Sequence, residues 1–359
     1  MIRRIRLTSA YMEPCLETDL ASLKSRYKMR CLLVLIPTFL LFSACQSGIP
    51  LRTEVDPTEP IKGPRELVFK EDEELQQNIA SIASDAKGQV GVFALLIEEE
   101  RSVSLNGSEH FALQSVVKLP VTMAVIERVE SGDLTLDDPI KFTKDDLVNR
   151  NQHSPLRDRY PAGGSMTVRE LISFALTESD GTACDILTRV LGGPGALQSF
   201  VDGLGIEDFH TPRTHKEFGK VWELQYENWA TPEATVSLLE ILFKKAYPSG
   251  NFPPALGEVV TESRIIVEDM AASKPGPDRL KGLLPPGTPV AHKTGTGGTR
   301  DGVNSATNDV GIITMPDGRH VAIAVFVGDS AADLRTREGV IARIAKAVWD
   351  TWSVSKSGS

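Results

Sequence analysis

The segment from Phe111 to Ile126 constrains the fold most, because apolar side chains recur on every face of the helix that it predicts. A helix that is apolar all round is buried in the core. Lysine is rarely buried without a partner, yet Lys118 lies inside this helix, one turn after Ser115. An amine one turn from a hydroxyl can take its proton and make the oxygen a nucleophile. The pattern therefore indicates either nucleophilic catalysis or a chance Ser-x-x-Lys, which many chains contain.

Two later segments complete an ordered set of motifs. Ser179-Asp180-Gly181 lies between two helical patterns, and His292-Lys293-Thr294-Gly295-Thr296-Gly297 precedes a run of predicted strands. Ser-x-x-Lys, Ser-Asp-Asn and Lys-Thr-Gly, in this order, are the signature of the class A β-lactamases and penicillin-binding proteins. The chain resembles this family, with Gly181 in place of the asparagine. The flanking residues 114–118, 183–187, 225–229 and 308–312 are similar to the PER/VEB-type branch of class A, and the resemblance covers roughly residues 74 to 352.

Charge and composition exclude several other classes of function. The 359 residues carry a net charge of −9, which argues against nucleic acid as a partner because phosphate binding needs a basic face. The six histidines are scattered, and neither a His-Glu-x-x-His pattern nor a cysteine cluster occurs. We therefore expect no metal site and no cofactor.

Residues 1–45 are predicted to be an export leader rather than part of the fold. A basic start near Met29 precedes the apolar run 32–42, which is too short to span a membrane. Cys45 follows Phe-Ser-Ala and resembles a bacterial lipobox cysteine, which implies a lipid-anchored periplasmic protein; cleavage without lipidation is the alternative. Met29 is a candidate for the true start. Residues 46–68 contain four prolines and predict a semi-rigid tether.

Periodicity places strands near both ends of the remaining chain and helices between them. The strand patterns cover residues 90–97, 101–105, 309–314 and 320–327. Terminal helices are predicted over 71–86 and 334–352, and the box Thr167-x-x-Glu170 begins a helix in the middle. Strands at the two ends of one domain meet most readily in a single antiparallel sheet.

We therefore predict an α+β fold over residues 69–355. Its antiparallel sheet, from about 69–110 and 288–355, is flanked by the terminal helices, and an all-α subdomain covers about 111–287. The resemblance implies this same serine β-lactamase and penicillin-binding transpeptidase-like fold, with the active site in the cleft between the two parts.

The resemblance implies acyl transfer through a covalent intermediate on Ser115. Lys118 is the candidate base for acylation, and Ser179 is the candidate relay that gives a proton to the leaving lactam nitrogen. Lys293 and Thr294 are candidates for binding the substrate carboxylate.

The oxyanion is most simply held by the backbone N–H groups of Ser115 and Thr296. Gly295 and Gly297 agree with this arrangement, because residues without side chains leave the edge of the strand open to a substrate.

The sequence departs from the family in the loop that activates the deacylating water. Counting back from residues 225–229 without gaps places His215 where the family has a glutamate. Histidine can act as a base near neutral pH, and Glu217, two residues on, is a second candidate. A third possibility is that neither residue acts as the base.

Three functions agree with these motifs. The first is a serine β-lactamase that hydrolyses small-molecule β-lactams, with the domain expected to be a monomer. The second is a penicillin-binding sensor that is acylated at Ser115 and deacylates poorly. The absence of the family's glutamate favours this second function. The third is a peptidase that acts on D-Ala-D-Ala peptides. The lactamase-like segments around Gln114 and residues 225–229 favour the first.

Overall fold

The computed structural model describes residues 72–250 and 261–353. The predicted leader at 1–45 and tether at 46–68 lie outside the described residues. Within the described ranges no helix is both long enough and apolar enough to cross a bilayer.

Strands from both ends of the described chain form the main sheet. All of its pairings are antiparallel, in the order β2-β1-β11-β10-β8, and β9 pairs with β10. The strands are β1 (Gln89–Leu96), β2 (Arg101–Leu105), β3 (Phe111–Ala112), β4 (Pro139–Thr143), β5 (Gly163–Thr167), β6 (Phe209–His210), β7 (Trp229–Ala230), β8 (Val290–Thr296), β9 (Thr299–Arg300), β10 (Val303–Thr314) and β11 (His320–Ser330). The β10–β11 hairpin is longer than its alternating pattern predicted.

The described helices lie at the two ends and in the long middle segment. They are α1 (Glu73–Ala83), α2 (Lys118–Glu130), α3 (Pro155–Arg159), α4 (Val168–Thr177), α5 (Gly181–Leu191), α6 (Pro194–Gly203), α7 (His215–Phe218), α8 (Pro232–Ala246), α9 (Arg264–Ala271) and α10 (Leu334–Ser353). Local signals explain several of their ends. Thr167 and Glu170 form the predicted capping box of α4, and the Asp180 side chain accepts a hydrogen bond from Ala183 N at the start of α5.

Each face of the main sheet has its own apolar core. Val92, Ala94 and Leu96 of β1 pack with α1 and α10, whereas the alternate residues Phe93 and Leu95 join the cluster that contains α2, α5 and α8. This alternation is what a strand buried on both faces requires. The predicted α+β fold, with a sheet flanked by the terminal helices, is confirmed.

The segment 111–287 differs from the all-α subdomain predicted for it. Helix α8 contacts β1, β10 and β11 and covers the second face of the main sheet. Two small sheets, β3-β7-β6 and β4-β5, also lie in this segment. Strands of two residues, such as those of β3-β7-β6, carry too little alternation to be detected in a sequence. Burial of α8 against the sheet depends on contacts distant in the chain.

Candidate active site

Ser115 lies in a short 3-10 turn, Gln114–Val117, that continues directly into α2. Lys118 is the first residue of α2, and its side chain is completely buried. Because the turn brings the two side chains together, Lys118 Nζ is 2.7 Å from Ser115 Oγ. Gln114 has a φ of +50° and donates from Nε2 to Gln225 Oε1 at 3.0 Å, which anchors the turn from the outside.

Ser179 and Lys293 form a second serine–lysine pair in the same cleft. Ser179 lies just before α5 with a φ of +56°, and Lys293 lies on β8. Lys293 Nζ donates to Ser179 Oγ at 2.8 Å and to Thr294 O at 2.9 Å. The motifs therefore meet from three directions: α2, the loop before α5, and β8.

Burial sets the charge state of the two amines. Desolvation lowers the pKa of Lys118 and lowers that of Lys293 well below its ordinary value. The positive charge of Lys118 further depresses the pKa of Lys293. Both changes favour the neutral amine, and a neutral amine can accept a proton from a neighbouring hydroxyl.

His215 is the third group in contact with this pair. Its Nε2 is 2.7 Å from Lys118 Nζ, and its Nδ1 is 3.4 Å from Asp185 Oδ1. Burial first, and then the charge of Lys118, lower the pKa of His215 to about 4. The imidazole is therefore neutral at neutral pH.

Glu217 does not contact the Ser115–Lys118 pair in the structure, because its carboxylate caps the first turn of α7. Oε2 accepts hydrogen bonds from Thr214 N at 2.8 Å and Thr214 Oγ1 at 3.1 Å, and Oε1 lies 3.7 Å from Arg213 Nη1. Thr214-x-x-Glu217 is a capping-box pattern, a signal in the sequence that could have separated Glu217 from the catalytic role. The structure brings His215, rather than Glu217, to the Ser115–Lys118 pair.

These groups border an open cleft of about 640 Å³, a size that suits a drug-like molecule. Ser115, Lys118, Ser179 and His215 lie on its lining, as do Thr294 and Thr296. The wall formed by the end of α7 and the residues that follow it contributes three apolar side chains, Phe218, Val221 and Trp222. A polar floor with an apolar wall can orient a substrate and shield it from water.

The strand β8 forms the edge of the described main sheet, since it pairs there only with β10. Thr296 lies at the end of β8, on the cleft side with Ser115. A Cβ on Gly295 would lie 2.6 Å from Leu113 O. Glycine is therefore required at this position by the backbone that carries the nucleophile, and not only by the approach of a substrate.

Arg279 is a residue that sequence reasoning missed. Only 4% of it is exposed, and its Nη2 donates to Thr296 Oγ1 at 2.8 Å. Its Nη1 donates to Gly295 O at 3.1 Å, and its Nε lies 3.1 Å from Glu338 Oε1. Arg279 thus places a second cation behind the end of β8 at which a substrate carboxylate is expected. No motif surrounds this arginine in the sequence.

Cys184, Asp185 and His215 could in principle hold a metal ion, since one ligand atom from each lies within 4.8 Å of the others. Their surroundings do not favour a cation. Burial raises the pKa of the Cys184 thiol to about 12, and His215 Nε2 already contacts the Lys118 amine. The cluster is therefore poorly suited to binding a metal.

Together, the fold and the site define a class of protein: a penicillin-recognising serine acyltransferase. Ser115, in its 3-10 turn, contacts the buried amine of Lys118 at the start of α2. A second serine–lysine pair faces them across the cleft.

Comparisons with known proteins specify the family. Residues 74–352 match the Beta-lactamase enzyme family. The chain is 33% identical over 284 residues to β-lactamase VEB-1 of Pseudomonas aeruginosa, covering 77% of this chain and 89% of the relative. It is 34% identical over 276 residues to the extended-spectrum β-lactamase PER-1 of the same organism, covering 77% and 86%. The chain belongs to the β-lactamase enzyme family, as a class A serine enzyme of the PER/VEB type.

A solved structure agrees with this assignment. The crystal structure of a β-lactamase from Chitinophaga pinensis superposes with a TM-score of 0.71 at 37% sequence identity, covering 77% of this chain and 99% of that one. The family resemblance inferred from the motifs is therefore confirmed.

Proposed function

We propose that the chain hydrolyses β-lactams through an acyl-enzyme on Ser115, and that Lys118 and His215 act together as the bases. The observation that carries this proposal is the unbroken contact from Ser115 Oγ to Lys118 Nζ and on to His215 Nε2, each at 2.7 Å. Both bases are buried, and both have lowered pKa values.

Acylation begins when Ser115 Oγ attacks the lactam carbonyl carbon. The hydroxyl proton passes to the neutral Lys118 amine as the new C–O bond forms, and backbone N–H groups at Ser115 and Thr296 hold the oxyanion. The lactam C–N bond then breaks. The nitrogen takes a proton from the Ser179 hydroxyl, which is replenished by the proton held at Lys118, so that the serine proton ends on the nitrogen.

Lys293 and Thr294 bind the substrate carboxylate in this proposal, with Arg279 behind them. A carboxylate that arrives beside Lys293 offsets the desolvation that now lowers the pKa of this amine. Substrate binding therefore restores the ammonium form at the position where its charge is useful.

Deacylation requires a base for the attacking water, and the Lys118–His215 pair supplies it, with His215 neutral at neutral pH. The water oxygen attacks the ester carbonyl carbon, its proton passes to this pair, and the bond to Ser115 Oγ breaks. The pair then returns a proton to Ser115 Oγ. A histidine whose pKa is lowered to about 4 has the basicity of an ordinary glutamate. It differs in carrying no negative charge, so it does not raise the pKa of Lys118 as a neighbouring carboxylate would.

One observation favours a second candidate, a penicillin-binding sensor that deacylates slowly. His215 Nε2 faces Lys118 at 2.7 Å, so the attacking water has to compete with an amine for this nitrogen. The two functions share the acylation step and differ only in the lifetime of the acyl-enzyme.

Intact-mass measurement during exposure to a penicillin and a chromogenic cephalosporin distinguishes them. We expect a transient adduct together with steady turnover, and we expect Ser115→Ala to lose both. A stoichiometric adduct that persists for hours without turnover would overturn the hydrolase proposal in favour of the sensor.

We also propose that the protein is exported to the periplasm and held there by a lipid on Cys45, with the enzymatic domain acting as a monomer. The support is the leader and lipobox-like pattern in residues 1–45. Metabolic labelling with a fatty acid tests it. We expect incorporation in the parent and none in Cys45→Ala, and an unlabelled parent would contradict the anchor.

A further inference from the structure

The carboxylate of Asp185 lies between helix α5, which carries it, and the first turn of α7. Its Oδ1 accepts a hydrogen bond from His215 N at 2.7 Å, and its Oδ2 accepts one from Lys216 N at 2.8 Å. These two bonds fix the backbone of His215 relative to α5. The side chains of both Asp185 and His215 are about nine-tenths buried, with 9% and 10% exposed.

The same carboxylate also determines which way the imidazole of His215 faces. Oδ1 is 3.4 Å from Nδ1, so a proton on Nδ1 is attracted to the carboxylate, and a lone pair there would be repelled. The opposite nitrogen, Nε2, then carries the lone pair and directs it at Lys118 Nζ, 2.7 Å away. A partner at one ring nitrogen thus decides the role of the other.

We propose that Asp185 is a positioning residue that holds His215 in its Nδ1-protonated tautomer. This inference rests on the proposed role of His215 in deacylation. Nucleophile, amine, imidazole and carboxylate then form one continuous series of contacts. When a proton arrives at Nε2, the imidazolium that forms lies beside the carboxylate of Asp185.

Charges around the ring show why such a carboxylate is needed. Lys118 and Lys293 both oppose a positive charge on His215, whereas Asp185 favours it. Without Asp185, a proton accepted by this ring during deacylation would be opposed by both amines. Fixing the tautomer and stabilising the imidazolium are the two effects that an aspartate beside a catalytic histidine provides.

A double-mutant cycle distinguishes this role from a purely structural one. Asp185→Asn keeps the size of the side chain and one carbonyl oxygen but removes the charge. We expect it to slow decay of the acyl-enzyme by about 10- to 100-fold in the parent, the usual effect of losing such a partner. In a His215→Gln background the same substitution should change the decay rate less than about 2-fold, since neighbours that act through one another are not additive.

Equal slowing in both backgrounds would overturn the proposal, because it would mean that Asp185 acts through the backbone of α7 alone. A His215→Gln variant that deacylates at the parent rate would instead refute the proposed role of His215. The two failures are therefore distinguishable.

Nitrogen-15 NMR of the histidine rings tests the tautomer without any loss of fold. His215→Gln identifies the signals by their disappearance. We expect Nδ1 of His215 to be protonated and Nε2 to be unprotonated in the parent at neutral pH, with a shift toward the other tautomer in Asp185→Asn. A proton on Nε2 in the parent, or an unchanged spectrum in Asp185→Asn, would overturn the inference.

Discussion

Protonation of His215 should make the stability of this protein depend on pH in a defined window. In the unfolded chain the imidazole has its ordinary pKa of 6.5, whereas in the folded protein burial and the charge of Lys118 lower the pKa to about 4. Between these values the unfolded chain binds more protons than the folded one. The free energy of unfolding therefore falls as pH falls through this window, and it is fully retained above pH 6.5.

The size of the effect follows from the two pKa values. They differ by about 2.5, and each unit corresponds to about 1.4 kcal/mol, so His215 should cost the folded state about 3 kcal/mol between pH 6.5 and pH 4. His215→Gln has no proton to take up and should lack this part of the pH dependence. Urea unfolding of the parent and the variant at several pH values measures the difference, which cancels the contributions of all other groups.

A matched control is His110→Gln, which removes an exposed imidazole stacked on Trp229. The reasoning is refuted if the unfolding free energies of the parent and of His215→Gln remain a constant distance apart from pH 7.5 to pH 4. That outcome would mean that His215 titrates alike in the folded and unfolded states. It would also remove the argument that the imidazole is a neutral base of low pKa.

Three further outcomes are expected. Glu217→Gln should lower the unfolding free energy by about 1 kcal/mol, because it weakens the cap of α7. It should slow decay of the acyl-enzyme less than His215→Gln, since loss of a general base costs about 10²- to 10⁴-fold in rate. Intact-mass measurement of the adduct compares the two variants, and the reverse order would contradict the assignment of His215 as the base. Gly295→Ala should lower the free energy of unfolding by about 1–3 kcal/mol and slow acylation, because the new Cβ would lie 2.6 Å from Leu113 O. An unchanged melting temperature and an unchanged acylation rate would exclude this clash. Cys184 is 1% exposed, and burial raises the pKa of its thiol to about 12, so it should resist alkylation by iodoacetamide until urea unfolds the chain. Peptide mapping of the alkylated cysteine measures this, and rapid labelling of the folded protein would contradict the prediction.

Much of the fold could be predicted because its signals are local. The capping box at Thr167 and Glu170 acts within one helical turn, and α4 begins where these residues predicted. The β-rich apolar run at residues 90–97 indicated a strand, which the structure has over Gln89–Leu96. The place of α8 could not be read in this way, since its apolar face does not specify which distant strands it covers.

The candidate site divides along the same line. The order of the three motifs predicted Ser115 as the nucleophile and Lys118 and Lys293 as the amines of the site, and in the structure each lysine contacts a motif serine. The choice between His215 and Glu217 needed coordinates. Both residues lie on the same short helix, α7, and they differ mainly in the direction in which their side chains point. The roles of Asp185 and Arg279 also needed coordinates, since each contacts residues that lie 16 or more positions away along the chain.

The sequence by itself thus determined the family, that of the class A serine β-lactamases, and it predicted the serine and the two lysines of the site. Only the tertiary structure decided that His215, and not Glu217, contacts Lys118, and that Asp185 binds the backbone of His215. The physical reason is the distance along the chain over which the determining contacts act. Helix caps and periodic burial depend on residues close together in sequence, whereas the pKa and orientation of a buried imidazole depend on groups brought together from α2, α5 and β8.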